Sequence, residues 1–132
     1  MSSVYLVVEG RSDVDILRRL LPPGVLRRLE FVGGDGKSSA ISTARTLLAI
    51  GDRPVGLLVD ADTTRHSEVV REHQTITELL HRAGHGLKYQ VFLAVPDLDY
   101  VFAHRGPVNK IPVVQEVIVF VKGLTTEKTA PK

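Results

Sequence analysis

Mainly apolar runs recur along the first hundred residues and predict strands. They cover residues 4–9, 29–32, 55–59 and 88–95. The first and third runs lack the polar alternation of a strand that has one face in water, and they are rich in valine and leucine. Such runs are typical of strands buried on both faces, which occur mostly in parallel sheets.

Segments with apolar residues at helical spacing separate these runs. One helix is predicted to begin at Ser12, a favourable N-cap residue, and to stop at Pro22. Others follow the glycine-rich residues 33–39 and cover residues 67–83, and a short helix is predicted for residues 97–104. This alternation favours right-handed crossovers. We therefore expect an α/β fold with a Rossmann-like, mostly parallel sheet of about four strands and helices on both faces.

The last third of the chain is ambiguous. Residues 113–121 are rich in valine, isoleucine and phenylalanine, which favours a strand by propensity, but a helix packed on the sheet is equally compatible with them. Residues 125–132 are polar and predict a flexible tail. We therefore expect a single domain over residues 1–124.

Composition narrows the class of protein. The 132 residues suffice for one domain, and the absence of cysteine excludes disulfides, thiolate metal sites and cysteine nucleophiles. A net charge of +2 is too small to indicate nucleic-acid binding by itself. No apolar stretch approaches the roughly 20 residues of a membrane helix, and no basic segment precedes the first strand as in a signal peptide. We expect a soluble, cytoplasmic protein with no membrane partner.

Carboxylates stand at the ends of the first and third strands. Glu9 ends the first strand and precedes Gly10, Asp60 ends the third, and Asp62 lies two residues further on. In one common doubly wound order these strands are neighbours, so their acids would face one crevice. Carboxylate oxygens suit Mg²⁺, which would relieve the repulsion between them. The alternative is that Glu9 and Asp60 cap the next helices and that Asp62 lies in a solvated loop.

These acids belong to two motifs that resemble the signatures of the Toprim domain. Val-Glu-Gly-Arg-Ser-Asp occupies residues 8–13 and Leu-Val-Asp-Ala-Asp occupies residues 58–62. The resemblance covers about residues 4–104. It implies the Toprim version of a Rossmann-like fold and a Mg²⁺ site, with Mn²⁺ as an alternative ion, for phosphodiester chemistry.

The resemblance also implies a role for each acid. Glu9 matches the glutamate that acts as general acid or base. The expected metal ligands are the acids of both signatures, namely Asp60, Asp62, Glu9 and Asp13. Nuclease members of the family carry a further acidic element after the fourth strand, and the residues in that position here are Asp97 and Asp99.

The glycine-rich residues 33–39 open the second helix. A Walker phosphate loop requires glycine five residues before Gly36, and Phe31 stands there, so the chain lacks that motif. Backbone N–H groups at a helix start can still bind phosphate, which makes Gly34, Gly36 and Lys37 candidate phosphate-binding residues. The alternative is a tight turn between strand and helix.

Two classes of function follow. The first is a small Mg²⁺-dependent nuclease or phosphotransferase that acts on DNA or RNA. The second is a non-catalytic Toprim module that binds nucleic acid or a partner protein. A phospho-accepting receiver domain with Asp60 as acceptor fits less well, because it would carry a pair of acids after the first strand. The expected partner is DNA or RNA, and a partner ATPase or a homo-oligomer is compatible with either class.

Overall fold

Four parallel strands form one sheet at the centre of the fold. The computed structural model describes residues 3–84, 86 and 88–129. The strands are β1 (Val4–Val8), β2 (Leu29–Gly33), β3 (Val55–Asp60) and β4 (Tyr89–Ala94). They pair in the order β2–β1–β3–β4. The predicted sheet is confirmed, and each strand ends within one residue of its expected boundary.

Helices cover both faces of this sheet. One face carries α1 (Arg11–Leu20), α2 (Pro23–Leu26), α5 (Leu98–Ala103) and α6 (Pro112–Thr129). The other face carries α3 (Lys37–Ile50) and α4 (His66–Ala83). A 3₁₀ turn at Val108–Lys110 connects α5 to α6. The predicted α/β, Rossmann-like class is therefore confirmed.

The sheet is buried on both sides because its strands carry apolar side chains on both sides. Five of the six residues of β3 are buried. Leu58 packs in the layer of α1 and α6, whereas Leu57 and Val59 pack in the layer of α3 and α4. Since successive strand side chains point to opposite faces, a strand in this position needs an apolar run without alternation.

The ambiguous residues 113–121 form part of α6. Val113, Val117 and Val121 are buried at a spacing of four residues, whereas Val119 is 67% exposed. This burial follows the period of a helix, and packing against the sheet overrides the strand propensity of the segment.

The helix α6 also reaches into the segment predicted as a flexible tail. The backbone of residues 125–129 continues α6, and residues 130–132 lie outside the described part of the chain. The flexibility of the tail stays a prediction. Among the described helices, none combines the length and the apolar character that crossing a membrane requires.

The helix α1 begins one residue before its predicted cap. Its first residue is Arg11 and its N-cap is Gly10, so the prediction of Ser12 as N-cap is wrong. The reason is Asp13, whose Oδ2 accepts a hydrogen bond from the N–H of Gly10 at 3.0 Å. An acid one turn inside the helix thus satisfies the donor at its start, which places Asp13 beside the end of β1.

The strand β4 is one edge of the sheet, and α4 covers part of that edge. His73 of α4 lies with Nε2 2.9 Å from the carbonyl oxygen of Val91. The carbonyls of Lys88, which precedes β4, and of Ala94, which ends it, accept hydrogen bonds from the β3 side. Carbonyls that point to β3 therefore alternate with carbonyls that point away. The Val91 carbonyl faces away from β3, and the imidazole N–H is its donor.

We expect Gly34→Ala to lower the free energy of unfolding by roughly 1–3 kcal/mol. A Cβ on Gly34 would lie 2.8 Å from the amide nitrogen of Ala40, so the backbone of α3 would have to move. Gly33→Ala is the matched control, because its nearest neighbour would be the carbonyl carbon of Gly10 at 4.0 Å. Urea unfolding measures both variants, and equal midpoints would contradict the expectation.

Candidate active site at the carboxyl edge of the sheet

Glu9 and Asp60 meet at the carboxyl edge of the sheet. They follow paired positions of the neighbouring strands β1 and β3, where Val8 lies beside Leu58. The Oε2 atom of Glu9 accepts a hydrogen bond of 2.7 Å from the backbone N–H of Asp60. Two residues 51 positions apart in the sequence are therefore in direct contact, as the strand order led us to expect.

The Asp60 carboxylate also joins β3 to α5. Its Oδ1 accepts a hydrogen bond of 2.9 Å from the N–H of Leu98, the first residue of that helix. No hydrogen-bond donor in the described part of the chain contacts the other oxygens of this pair, Glu9 Oε1 and Asp60 Oδ2. Each acid thus uses one oxygen to hold the fold and keeps one for a proton, a metal or a ligand.

Asp60 lies in an environment that disfavours its negative charge. Burial is the largest cause that raises the pKa of this carboxyl from its ordinary value of 3.8 to about 6. The N–H of Leu98 lowers the pKa, whereas the charges of Glu9, Asp13 and Asp62 raise it further. Such a group is stabilised either by a proton or by a cation close to it.

Asp13 and Asp99 extend this acidic cluster. Burial raises the pKa of Asp13, and the charges of Glu9 and Asp99 add to the effect, whereas the hydrogen bond from the Gly10 N–H opposes it. Asp99 comes close because α5 packs against α1. The structure therefore brings three of the predicted acids, Glu9, Asp13 and Asp60, into one electrostatic group, with Asp99 beside Asp13.

Asp97 has a different position from Asp99. Its Oδ1 accepts a hydrogen bond of 2.7 Å from the N–H of Tyr100, so Asp97 caps the N-terminus of α5. One carboxylate oxygen of Asp97 is thus used by the helix start.

Asp62 turns towards α3 and α4 instead of towards Glu9. Its backbone is left-handed, with φ of 62°, and its N–H donates to the carbonyl of Pro96 at 2.7 Å. The side chain is 65% exposed and forms an ion pair of 3.0 Å with Lys37, which also binds Glu72 at 3.1 Å. The expected repulsion between the acids is therefore offset at Asp62 by the ammonium of Lys37.

Lys37, a predicted phosphate-binding residue, forms ion pairs with two acids, Asp62 and Glu72. Burial of the ammonium would lower the pKa of Lys37, but hydrogen bonds to Asp62 and Glu72 outweigh burial and raise it. Lys37 is therefore a permanent positive charge at the border of the acidic cluster. Neither the Asp62 contact nor the Glu72 contact had a signal in the sequence, because both depend on how α3 packs against α4.

The glycine turn before α3 is held against the end of β1. The N–H of Gly34 donates to the Val8 carbonyl at 2.8 Å, and the N–H of Gly36 donates to the Glu9 carbonyl at 3.0 Å. Gly36 has φ of 93°, a conformation that favours glycine, and Gly34 has no space for a Cβ. These contacts favour the tight-turn interpretation, and the turn fixes the backbone on which Glu9 is carried.

The donor set fits a hard divalent cation. No group of three or more His, Cys, Asp or Glu side chains in the described residues has the spacing of a closed metal site. Mg²⁺, however, usually keeps several waters and needs only one or two carboxylates from the protein. Glu9 and Asp60 supply two on neighbouring strands, with the Glu9 carboxylate bonded to the Asp60 backbone. Each keeps an oxygen to spare, in a region that already carries excess negative charge.

Comparison with known proteins identifies no relative of this chain: no family model matches it, and neither the curated proteins nor the solved structures contain a match. The resemblance to the Toprim signatures therefore stands on the two short motifs. The contact between Glu9 and Asp60 is the structural observation that joins these motifs.

We expect Asp60→Asn to gain stability relative to wild type as the pH rises from about 4 to 7 in EDTA. The folded-state pKa of Asp60 lies near 6, above 3.8, so the folded wild type holds a proton that the unfolded chain has lost and becomes less stable through this window. Asparagine keeps an acceptor for the N–H of Leu98 and has no charge. The gain is on the order of 1 kcal/mol, because solvent screens a half-exposed group.

Urea unfolding at pH 4.5 and pH 7.5 measures this difference. Glu78→Gln is the control, because its exposed carboxylate lies near the end of α4 and its ion pair among the described residues is with Arg82, at 3.9 Å. A stability difference between Asp60→Asn and wild type that is the same at both pH values would contradict the raised pKa.

Proposed function

We propose that this chain is a Mg²⁺- or Mn²⁺-dependent enzyme that cleaves or transfers phosphodiesters of DNA or RNA at the carboxyl edge of its sheet. The observation that carries the proposal is the contact between Glu9 and the backbone of Asp60. It joins the two Toprim-like motifs at the point where open α/β sheets keep their sites. The raised pKa of Asp60 supports it, because perturbed carboxyls are typical of functional sites.

The residues that would hold the ion are Asp60 and Glu9, with Asp13 close enough to influence the charge of Asp60. A bound divalent ion polarises a phosphodiester oxygen and lowers the pKa of its water. Asp62 joins this set only when its ion pair with Lys37 opens. The ammonium of Lys37 would then be available to an oxygen of the phosphate.

Glu9 has the geometry of a general acid or base. The N–H of Asp60 fixes Oε2 at 2.7 Å, which orients the side chain and leaves Oε1 to accept or donate a proton. In the cleavage direction Glu9 takes a proton from the attacking water or gives one to the leaving oxygen. The tight turn at Gly34 and Gly36 keeps the Glu9 backbone in place during this transfer.

We expect both Glu9→Gln and Asp60→Asn to reduce cleavage by about 10²–10⁴-fold, the range of a lost acid–base or electrostatic contribution. Glutamine keeps an acceptor for the N–H of Asp60, and asparagine keeps one for the N–H of Leu98, so neither change removes a structural hydrogen bond. The measurement is cleavage of plasmid DNA and of labelled RNA with Mg²⁺ or Mn²⁺, with Glu78→Gln as control.

The same assay identifies the other outcomes. Equal cleavage by wild type and both variants would point to a contaminating nuclease and refute the assignment of Glu9 and Asp60. Binding without cleavage by all of the proteins would favour the non-catalytic module.

We expect Mg²⁺ to stabilise the wild type against thermal unfolding, and to stabilise Asp60→Asn much less. A ligand at about one hundred times its dissociation constant adds about 2.7 kcal/mol when it binds only the folded state. The measurement is a melting curve in EDTA and in increasing MgCl₂ at constant ionic strength. It needs no substrate, and an identical response of the two proteins would exclude Asp60 as a ligand.

A further inference from the structure

A cavity opens beside the tip of β1, between α1 and the end of β2. Its volume is about 540 Å³, and it is lined by Arg11, Val14, Asp15, Arg18, Phe31, Gly33 and Gly34. Gly33 pairs with Val8, the residue before Glu9, so the cavity borders the tip of β1. The cavity thus carries two arginines of α1, a different element from that of Lys37, and Arg11 stands two residues after Glu9.

The guanidinium groups of this cavity form no ion pair among the residues that the structure describes. In the described part of the chain, Arg11 makes no salt bridge or side-chain hydrogen bond, and Arg18 lies over the ring of Phe31 at 5.3 Å. Arg53, at the amino edge of β3, contrasts with them. It bonds to Ser3 and Glu30 and lies over Tyr5.

Two glycines at or beside the cavity are not required by the backbone: Gly33 lines it, and Gly10 lies next to Gly33. Gly10 is extended, with φ of −168°, and a Cβ there would meet nothing within 4 Å. A Cβ on Gly33 would be in ordinary contact with the Gly10 carbonyl carbon at 4.0 Å. Since side chains alternate along β2, this Cβ would project on the same side as Phe31, which lines the cavity. Bare backbone at both positions permits the close approach of a ligand.

We propose that the cavity between Arg11 and Arg18 binds a backbone phosphate of a nucleic-acid strand, next to the phosphodiester that reacts at Glu9 and Asp60. This inference rests on the proposed function and names its substrate contact. The forked donors of arginine match phosphate oxygens, and a phosphate bears enough negative charge to bind despite Asp15 in the same cavity. The acids of the active site repel the other phosphates of the strand. The contact at the cavity therefore determines which phosphodiester lies at Glu9 and Asp60.

We expect the double variant Arg11→Gln/Arg18→Gln to bind a fluorescein-labelled single-stranded DNA 12-mer about tenfold or more weakly than wild type. Fluorescence anisotropy in EDTA measures binding without cleavage. The matched control is Arg45→Gln/Arg71→Gln, which removes two exposed arginines from α3 and α4 and changes net charge equally. The plot of log affinity against log salt becomes shallower by about 0.7–1.4 in the first variant, as for one or two lost phosphate contacts.

Gly33→Ala tests the cavity itself, since it changes no charge. A methyl group at its floor is expected to weaken binding, whereas Gly106→Ala, which also has open space around its Cβ, is not. Circular dichroism and urea midpoints confirm that each variant is folded. In cleavage assays the double arginine variant raises KM more than it lowers kcat, because it removes a binding contact.

Several outcomes would overturn the inference. They are equal losses in the two double arginine variants, unchanged binding by Gly33→Ala, no binding by the wild type, or equally tight binding of a labelled oligo-glutamate. The proposed function fails independently. If the wild type never cleaves but Arg11→Gln/Arg18→Gln binds more weakly than the wild type, the cavity assignment is supported and the enzyme is refuted. If the wild type cleaves and the double variant binds as tightly as the wild type, the enzyme is supported and the cavity assignment is refuted.

Discussion

The hydrogen bond between the Glu9 carboxylate and the Asp60 N–H depends on one topological fact, which is that β1 and β3 are neighbours. A strand order in which β1 and β3 were not neighbours would separate the two acids by at least one further strand, at about 4.8 Å per strand. The bond also joins β1 and β3 through polar groups at the point where their buried apolar residues end. Burial, the glycine turn and the first turn of α5 all act on Glu9 or Asp60.

The acids of this edge have structural and chemical roles at once. Asp60 supports the start of α5 through one oxygen, and Asp13 supports the start of α1 in the same way. A carboxylate that caps a helix is stabilised by the helix dipole, which partly offsets the repulsion within the cluster. The alternative, in which Glu9 and Asp60 have only a capping role, therefore accounts for one carboxylate oxygen of each side chain. The oxygen that remains in each is the part on which the proposed chemistry depends.

The sequence was sufficient for the features that local patterns control. Apolar runs located the strands, and acids at their ends located the edge where Glu9 and Asp60 meet. Features that depend on packing were not predictable. The pairing of Lys37 with Asp62 and Glu72 depends on how α3 lies against α4 and the loop before it. It offsets the charge of Asp62, which still raises the pKa of Asp60. The state of residues 113–121 was undecided because β-branched residues suit a strand until a sheet offers them a face to cover.

The ring of His73 on the Val91 carbonyl has a consequence for self-association. An edge strand with unpaired backbone groups is a template on which another chain can add a strand, the first step towards aggregation. On β4 an imidazole already occupies one of the outward acceptors. An incoming strand would have to displace that ring before it could pair in register. The imidazole of His73 thus opposes the pairing of a further strand with β4, although β4 itself carries no charge and no proline.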